Sequence, residues 1–227
     1  MGLLAACGAG GGGGGADAGN GADAAGGGAD AAPGSGTHVL FLQFDGVDLT
    51  EGFDNAPSDV SGTVSGSATM PAWGHPELTA DIIADVTSVL APYDIDVVSA
   101  RPVDGPYAMI VFGGDSELVG LPAGIPATAP VTCAVNELAV GFVFDDFINA
   151  HAAAQQAVAI EGMVHVIPQS DLDDDCMCFT SSNCTPPATA ACTIGGAGTP
   201  GYDNDPCGAV ATFDEAARFL AAFGAHP

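Results

Sequence analysis

Three continuous apolar runs, with one amphipathic helical pattern between the first and second, set the strongest constraint on what this chain can become. Residues 37–44, THVLFLQF, are apolar and β-branched enough for a buried strand, which ends at the turn signal Asp45-Gly46. His75-Pro76-Glu77 opens a helix, because Pro76 suits the first helical position and Glu77 complements the dipole. Leu78, Ile82, Val86 and Val89 or Leu90 then make one apolar stripe with Asp81 and Asp85 off it, and Pro92 stops the helix. Residues 95–99 read as a second strand. Residues 107–112, YAMIVF, read as a third that closes on Gly113-Gly114. No lysine follows those glycines, so they do not make a phosphate loop. Residues 53–74, rich in Ser, Gly, Thr and Pro without a period, read as an irregular loop. Residues 118–130 read as a Pro/Gly-rich connection and 138–144 as a short edge strand.

The second half carries two more helices. Asp145-Asp146 caps a helix over 147–161, whose Ala150, Ala152, Ala153, Ala154, Ala157 and Ala159 allow close approach to a sheet. His151 and Gln155 share one of its faces at i, i+4, as a hydrogen-bonded polar pair on a cleft floor. Residues 212–223 form the last helix, capped by Thr212 and ended by Gly224. Phe213, Ala216, Ala217, Leu220 and Phe223 are its packing residues.

Residues 155–179 read QQAVAIEGMVHVIPQSDLDDDCMCF. The portion from Gln155 to His165 resembles the metal-binding helix of the metzincin zinc peptidases, His-Glu-x-x-His-x-x-Gly-x-x-His followed by a methionine in a tight turn. In that pattern two histidines one helical turn apart grip the zinc. The glutamate takes the proton of metal-bound water, and the glycine turns the chain to bring back a third histidine. Gly162 and His165 stand at the glycine and third-histidine positions, and Met177 suits the turn methionine. Gln155, Gln156 and Ala159 replace the first histidine, the general base and the second histidine. A rival register with His151 as first ligand matches only that residue, with Val158 and Glu161 at the glycine and last-histidine positions. The resemblance implies an α+β, metzincin-like fold over residues 37–227. Its parts would be a twisted mixed sheet with a backing helix, an active-site-type helix, a Met-turn at Met177 and a C-terminal helix.

Composition narrows the partners. A net charge of −26, with Arg101 and Arg218 the only fixed cations in 227 residues, leaves nothing to neutralise phosphates, so nucleic acid is not expected. It also suits solubility at high ionic strength. Leu4-Ala5-Ala6-Cys7 fits a bacterial lipobox, with residues 1–7 the end of a lipoprotein signal and Cys7 the lipidated residue. The charged and fully apolar regions that would precede it are missing, as a start codon placed too late would leave them. Residues 8–36, almost wholly Gly, Ala and Asp, read as a flexible tether. Cys133, Cys176, Cys178, Cys184, Cys192 and Cys207 argue for three disulfides among fifteen pairings, concentrated in a cysteine-rich part at 176–207. Asp171, Asp173, Asp174 and Asp175 offer oxygens of the kind calcium takes, but without EF-hand spacing they read as a solvated loop.

The expected protein is thus exported to the cell envelope, anchored to a membrane through Cys7 or secreted. It is a metzincin-like pseudoenzyme that binds extended peptide or protein and has no cofactor. One alternative is an active zinc peptidase with atypical ligands: His165, His151 and an aspartate such as Asp171. A second is a structural surface protein.

Overall fold

The computed structural model describes residues 38–130, 132–179 and 184–227. The lipobox with Cys7 and the tether at 8–36 lie outside them. The strands are β1 (His38–Gln43), β2 (Val47–Glu51), β3 (Val60–Ser61), β4 (Ser67–Met70), β5 (Ile95–Val98), β6 (Ala108–Phe112), β7 (Ala127–Thr128), β8 (Val140–Val143), β9 (Ala197–Pro200) and β10 (Thr212–Asp214). The helices are α1 (Thr79–Leu90), α2 (Ala150–Val164) and α3 (Glu215–Phe223). The fold is mixed α and β.

Five strands form the central sheet in the order β5-β1-β6-β8-β7. All pairings are parallel except that of β7 on β8. The apolar runs are continuous because the inner strands are covered on both faces. Leu40, Leu42, Ile110, Phe112 and Val143 face a core shared with α1, α2 and α3. Phe41, Met109, Val111, Val140 and Phe142 face a second core on the opposite side. That second core is roofed by a small sheet in the order β3-β2-β4, which supplies Leu49, Ala68 and Met70. Residues 53–74 are therefore not an irregular loop; they hold β3 and β4. Residues 138–144 are not an edge strand either, since β8 is flanked by β6 and β7, and β7 is the edge.

α1 buries Ile82, Val86 and Leu90, as the stripe requires, each contributing about 1.5–3 kcal/mol. α2 runs from Asn149, whose side chain accepts the His151 N–H, and not from Asp145-Asp146. Asp145 instead accepts the Gly74 and Gly114 N–H groups, both at 2.8 Å, tying the end of β6 to the chain beyond β4. Thirteen residues of α2 are buried, so it is the central helix, packed on α1 and on the sheet. Gly141 in β8 makes the close approach possible: a Cβ there would collide with Ile160.

The last helix also begins later than expected. Thr212 lies in β10, and Asp214 is the cap, accepting the Ala217 N–H at 2.9 Å. The buried residues are Phe213, Glu215 and Phe219, while Ala217 and Leu220 are exposed. Three disulfides join Cys133 to Cys207, Cys176 to Cys192 and Cys178 to Cys184. They close loops of 74, 16 and 6 residues. Disulfides persist in oxidising compartments, which places the fold outside the cytoplasm. Among the described residues, no helix is long and apolar enough to cross a membrane.

Candidate functional site

The middle of α2 faces the turn that carries Met177. The Cys178 N–H donates to the Asp175 carbonyl at 3.2 Å and the Met177 N–H to Asp175 Oδ1 at 2.8 Å, which closes a tight turn. Met177 is wholly buried, with its sulfur and methyl lying where a Cβ on Gly162 would be. Gln155 and Gln156 are both 0% exposed. Gln155 Nε2 donates to the carbonyls of Asp175, Cys176 and Cys178, and Gln156 Nε2 to the Cys178 carbonyl and to Gln155 Oε1. Two amides thus sew the helix to the turn through backbone oxygens.

This arrangement does not fit zinc. The amide nitrogens present protons, Ala159 offers no lone pair, and both amides are sealed from solvent. Nor does Gly162 turn the chain. α2 continues through it to Val164, with His165 as the C-cap. Ten residues of helix hold Gln155 and His165 about 15 Å apart along the axis, so the third-histidine position does not return to the first. Gly162 serves packing against Met177 instead.

His151 and His165 do not converge either, being fourteen positions apart on one chain segment, about 21 Å of axial rise. His151 Nδ1 lies 2.6 Å from Asp85 Oδ2 on α1, while Gln155 four residues on is bonded to the Met177 turn. The two do not form the expected pair on a cleft floor. The acidic run is dispersed: Asp173 accepts the Thr185 N–H at 2.7 Å, and Asp175 turns inward. Burial first, then the Asp175 carboxylate, pushes the Glu215 carboxyl up to about 10. Burial raises Asp175 as well.

His165 has other company. Its Nδ1 lies 3.3 Å from Glu161 Oε1 and 3.1 Å from the Glu161 carbonyl oxygen, while His38 Nε2 lies 2.7 Å from the same Oε1. The two imidazoles meet edge to face at 4.8 Å, and the Phe223 ring packs on both. Burial alone would lower the His38 pKa, but the Glu161 carboxylate outweighs it and the value is raised. Burial likewise opposes the Glu161 charge, and His38 then His165 outweigh it, so its pKa is lowered. Glu161 and His165 at i, i+4 are visible in the sequence as a pair on one helix face. His38 has no such signal, because only the fold brings β1 to the end of α2.

Among the described residues lie two concavities. One, of about 150 Å³, lies beneath α3 between Met163, Val166, Ile167, Val210 and Arg218. The other, an open groove of about 700 Å³, runs beside β7 and is lined by Thr128, Ala129, Pro130, Phe53 and Val135.

Comparison with family models, curated proteins and solved structures gave no match.

Proposed function

We propose that this chain is an exported, lipid-anchored metzincin-like protein without peptidase chemistry, which binds extended peptide or protein segments along the groove beside β7. Several features support the metzincin-like reading: a mixed sheet backed by α1, a central helix at the resembling segment, a buried methionine turn against that helix, and a C-terminal helix. The observation that carries the loss of catalysis is the burial of Gln155 and Gln156, with their amide nitrogens spent on the turn carbonyls. A general base needs both basicity and reach to a water, and these side chains have neither. The binding half rests on β7 as an antiparallel edge strand, where an extended peptide can add its own backbone hydrogen bonds. Beside it Phe53, 98% exposed, and Val135 offer apolar contacts.

The test uses the purified full chain supplied with zinc. A library of neutral peptides should remain uncut, and retained peptides should bind several-fold more weakly to Phe53→Ala and Val135→Asp variants. Cleavage abolished by a chelator would overturn the pseudoenzyme reading. Binding indifferent to both substitutions would overturn the groove. A peptidase built on His151, His165 and Asp171 is disfavoured by the axial separation of the two histidines on α2.

A further inference from the structure

We propose that His38, Glu161 and His165 form a binding site for one divalent transition-metal ion of the zinc type, at the amino-terminal end of the sheet and distinct from the Gln155–Gln156 pair. The argument begins with convergence. Three side chains from two elements each bring one ligating atom to the same place, and the three atoms lie within 4.8 Å of one another. Tetrahedral zinc with bonds of about 2.0–2.1 Å needs ligand atoms about 3.4 Å apart. Of the distances from Glu161 Oε1, that to His38 Nε2, 2.7 Å, is shorter than that spacing and that to His165 Nδ1, 3.3 Å, is close to it.

The second observation is that the group is incompletely satisfied. Glu161 is 1% exposed, yet its Oε1 has no hydrogen bond of acceptable geometry, and neither has His38 Nε2 beside it. A buried carboxylate oxygen aimed between two imidazoles without a well-directed donor is costly unless something else meets it. A cation between the three atoms would meet all of them at once. In the bound form His165 Nδ1 exchanges its contact with the Glu161 carbonyl for the ion, and its proton resides on Nε2.

The donor set narrows the ion. Two imidazoles and one carboxylate suit zinc and its first-row neighbours, whereas calcium and magnesium prefer oxygen alone. Three protein ligands leave one place for water, and Phe223 closes over the imidazoles. The charge also favours it: two neutral imidazoles and one carboxylate give a divalent ion a site of net +1 in a chain of −26. The role is structural, a clasp between the first residue of β1, the last turn of α2 and the end of α3. It is independent of the peptide-binding proposal, because none of its residues lines the groove.

The experiment is titration of metal-stripped, untagged full chain with Zn²⁺ against a chromophoric chelator, and with Co²⁺ followed by its visible spectrum. One ion per chain is expected, with a four-coordinate cobalt spectrum and a higher melting temperature with zinc. His38→Ala and His165→Ala should each weaken zinc by about 100-fold or more, since even outer-shell partners are worth 10–100-fold. Glu161→Gln, which keeps shape, should do the same, and His151→Ala should leave affinity unchanged. Absence of stoichiometric binding by the folded protein overturns the site. So does binding that survives both His38→Ala and His165→Ala, or that is removed by His151→Ala.

Discussion

Glu215 is fully buried and faces the Asp175 carboxylate and the Gly195 N–H, which donates to Oε2 at 3.0 Å. With no cation among these neighbours, it keeps its proton in the folded protein up to about 10, whereas the unfolded chain releases it near 4.5. Across that window the folded state binds more protons, so stability falls as pH rises. In the metal-free protein His38 acts in the same direction within that window: its raised pKa lends stability below 6.5 that is lost as pH climbs through the folded value. Thermal melts should therefore show a decline in melting temperature from mildly acid to alkaline pH. Glu215→Gln should flatten that decline and raise the melting temperature at and above neutrality, because the amide donates to Asp175 without needing a proton. A melting temperature that climbs with pH over this range, or a Gln variant less stable at pH 9, would contradict the account.

At the scale of elements, the contact between α2 and the Met177 turn decides how the resembling segment is used. A glycine inside a helix costs about 1 kcal/mol relative to alanine, so Gly162→Ala would stabilise a helix standing alone. Here the added methyl meets Met177 and Phe219, and overpacking of this kind costs about 1–3 kcal/mol. Urea denaturation of Gly162→Ala, Met177→Ala and the double variant should give a positive coupling, with the alanine at 162 harmful beside methionine and tolerated without it. Additive effects would remove the packing role assigned to Gly162. The elements differ in how far they could be read from the chain alone. β1, β5, β6, β8 and α1 declare themselves because inner strands and a striped helix put their burial into a local pattern. β3 and β4 do not, since Val60–Ser61 and Ser67–Met70 are short, polar-flanked pieces that gain their order from pairing with β2 and from the core beneath Ala68 and Met70. Asp145-Asp146 imitates a helix cap, but the Asp145 oxygens serve two glycine amides and the cap falls to Asn149. Likewise the cysteine count was readable while the pairing was not. Glu161 and Glu215 look like ordinary helical glutamates until tertiary packing seals them.

For the whole molecule, the widest cross-link matters most. In the chain-entropy account the Cys133–Cys207 bond, spanning 74 residues, contributes about 4 kcal/mol, against about 3 and 2 for the other two. Replacing Cys133 and Cys207 together by serine should lower the unfolding free energy by up to about 4 kcal/mol in guanidinium titrations. Removing Cys178–Cys184 should cost about half that. Equal losses from the two pairs would mean that local packing, and not loop length, sets their value. One further property follows from the position of His38 at the head of β1. That strand is hydrogen-bonded in parallel to β5 on one side and β6 on the other. A force applied to the chain at His38 along the strand axis meets both of these ladders. The load is then carried in shear by both ladders together, not peeled from an edge one bond at a time. A strand laddered on both sides is mechanically suited to bearing such a load.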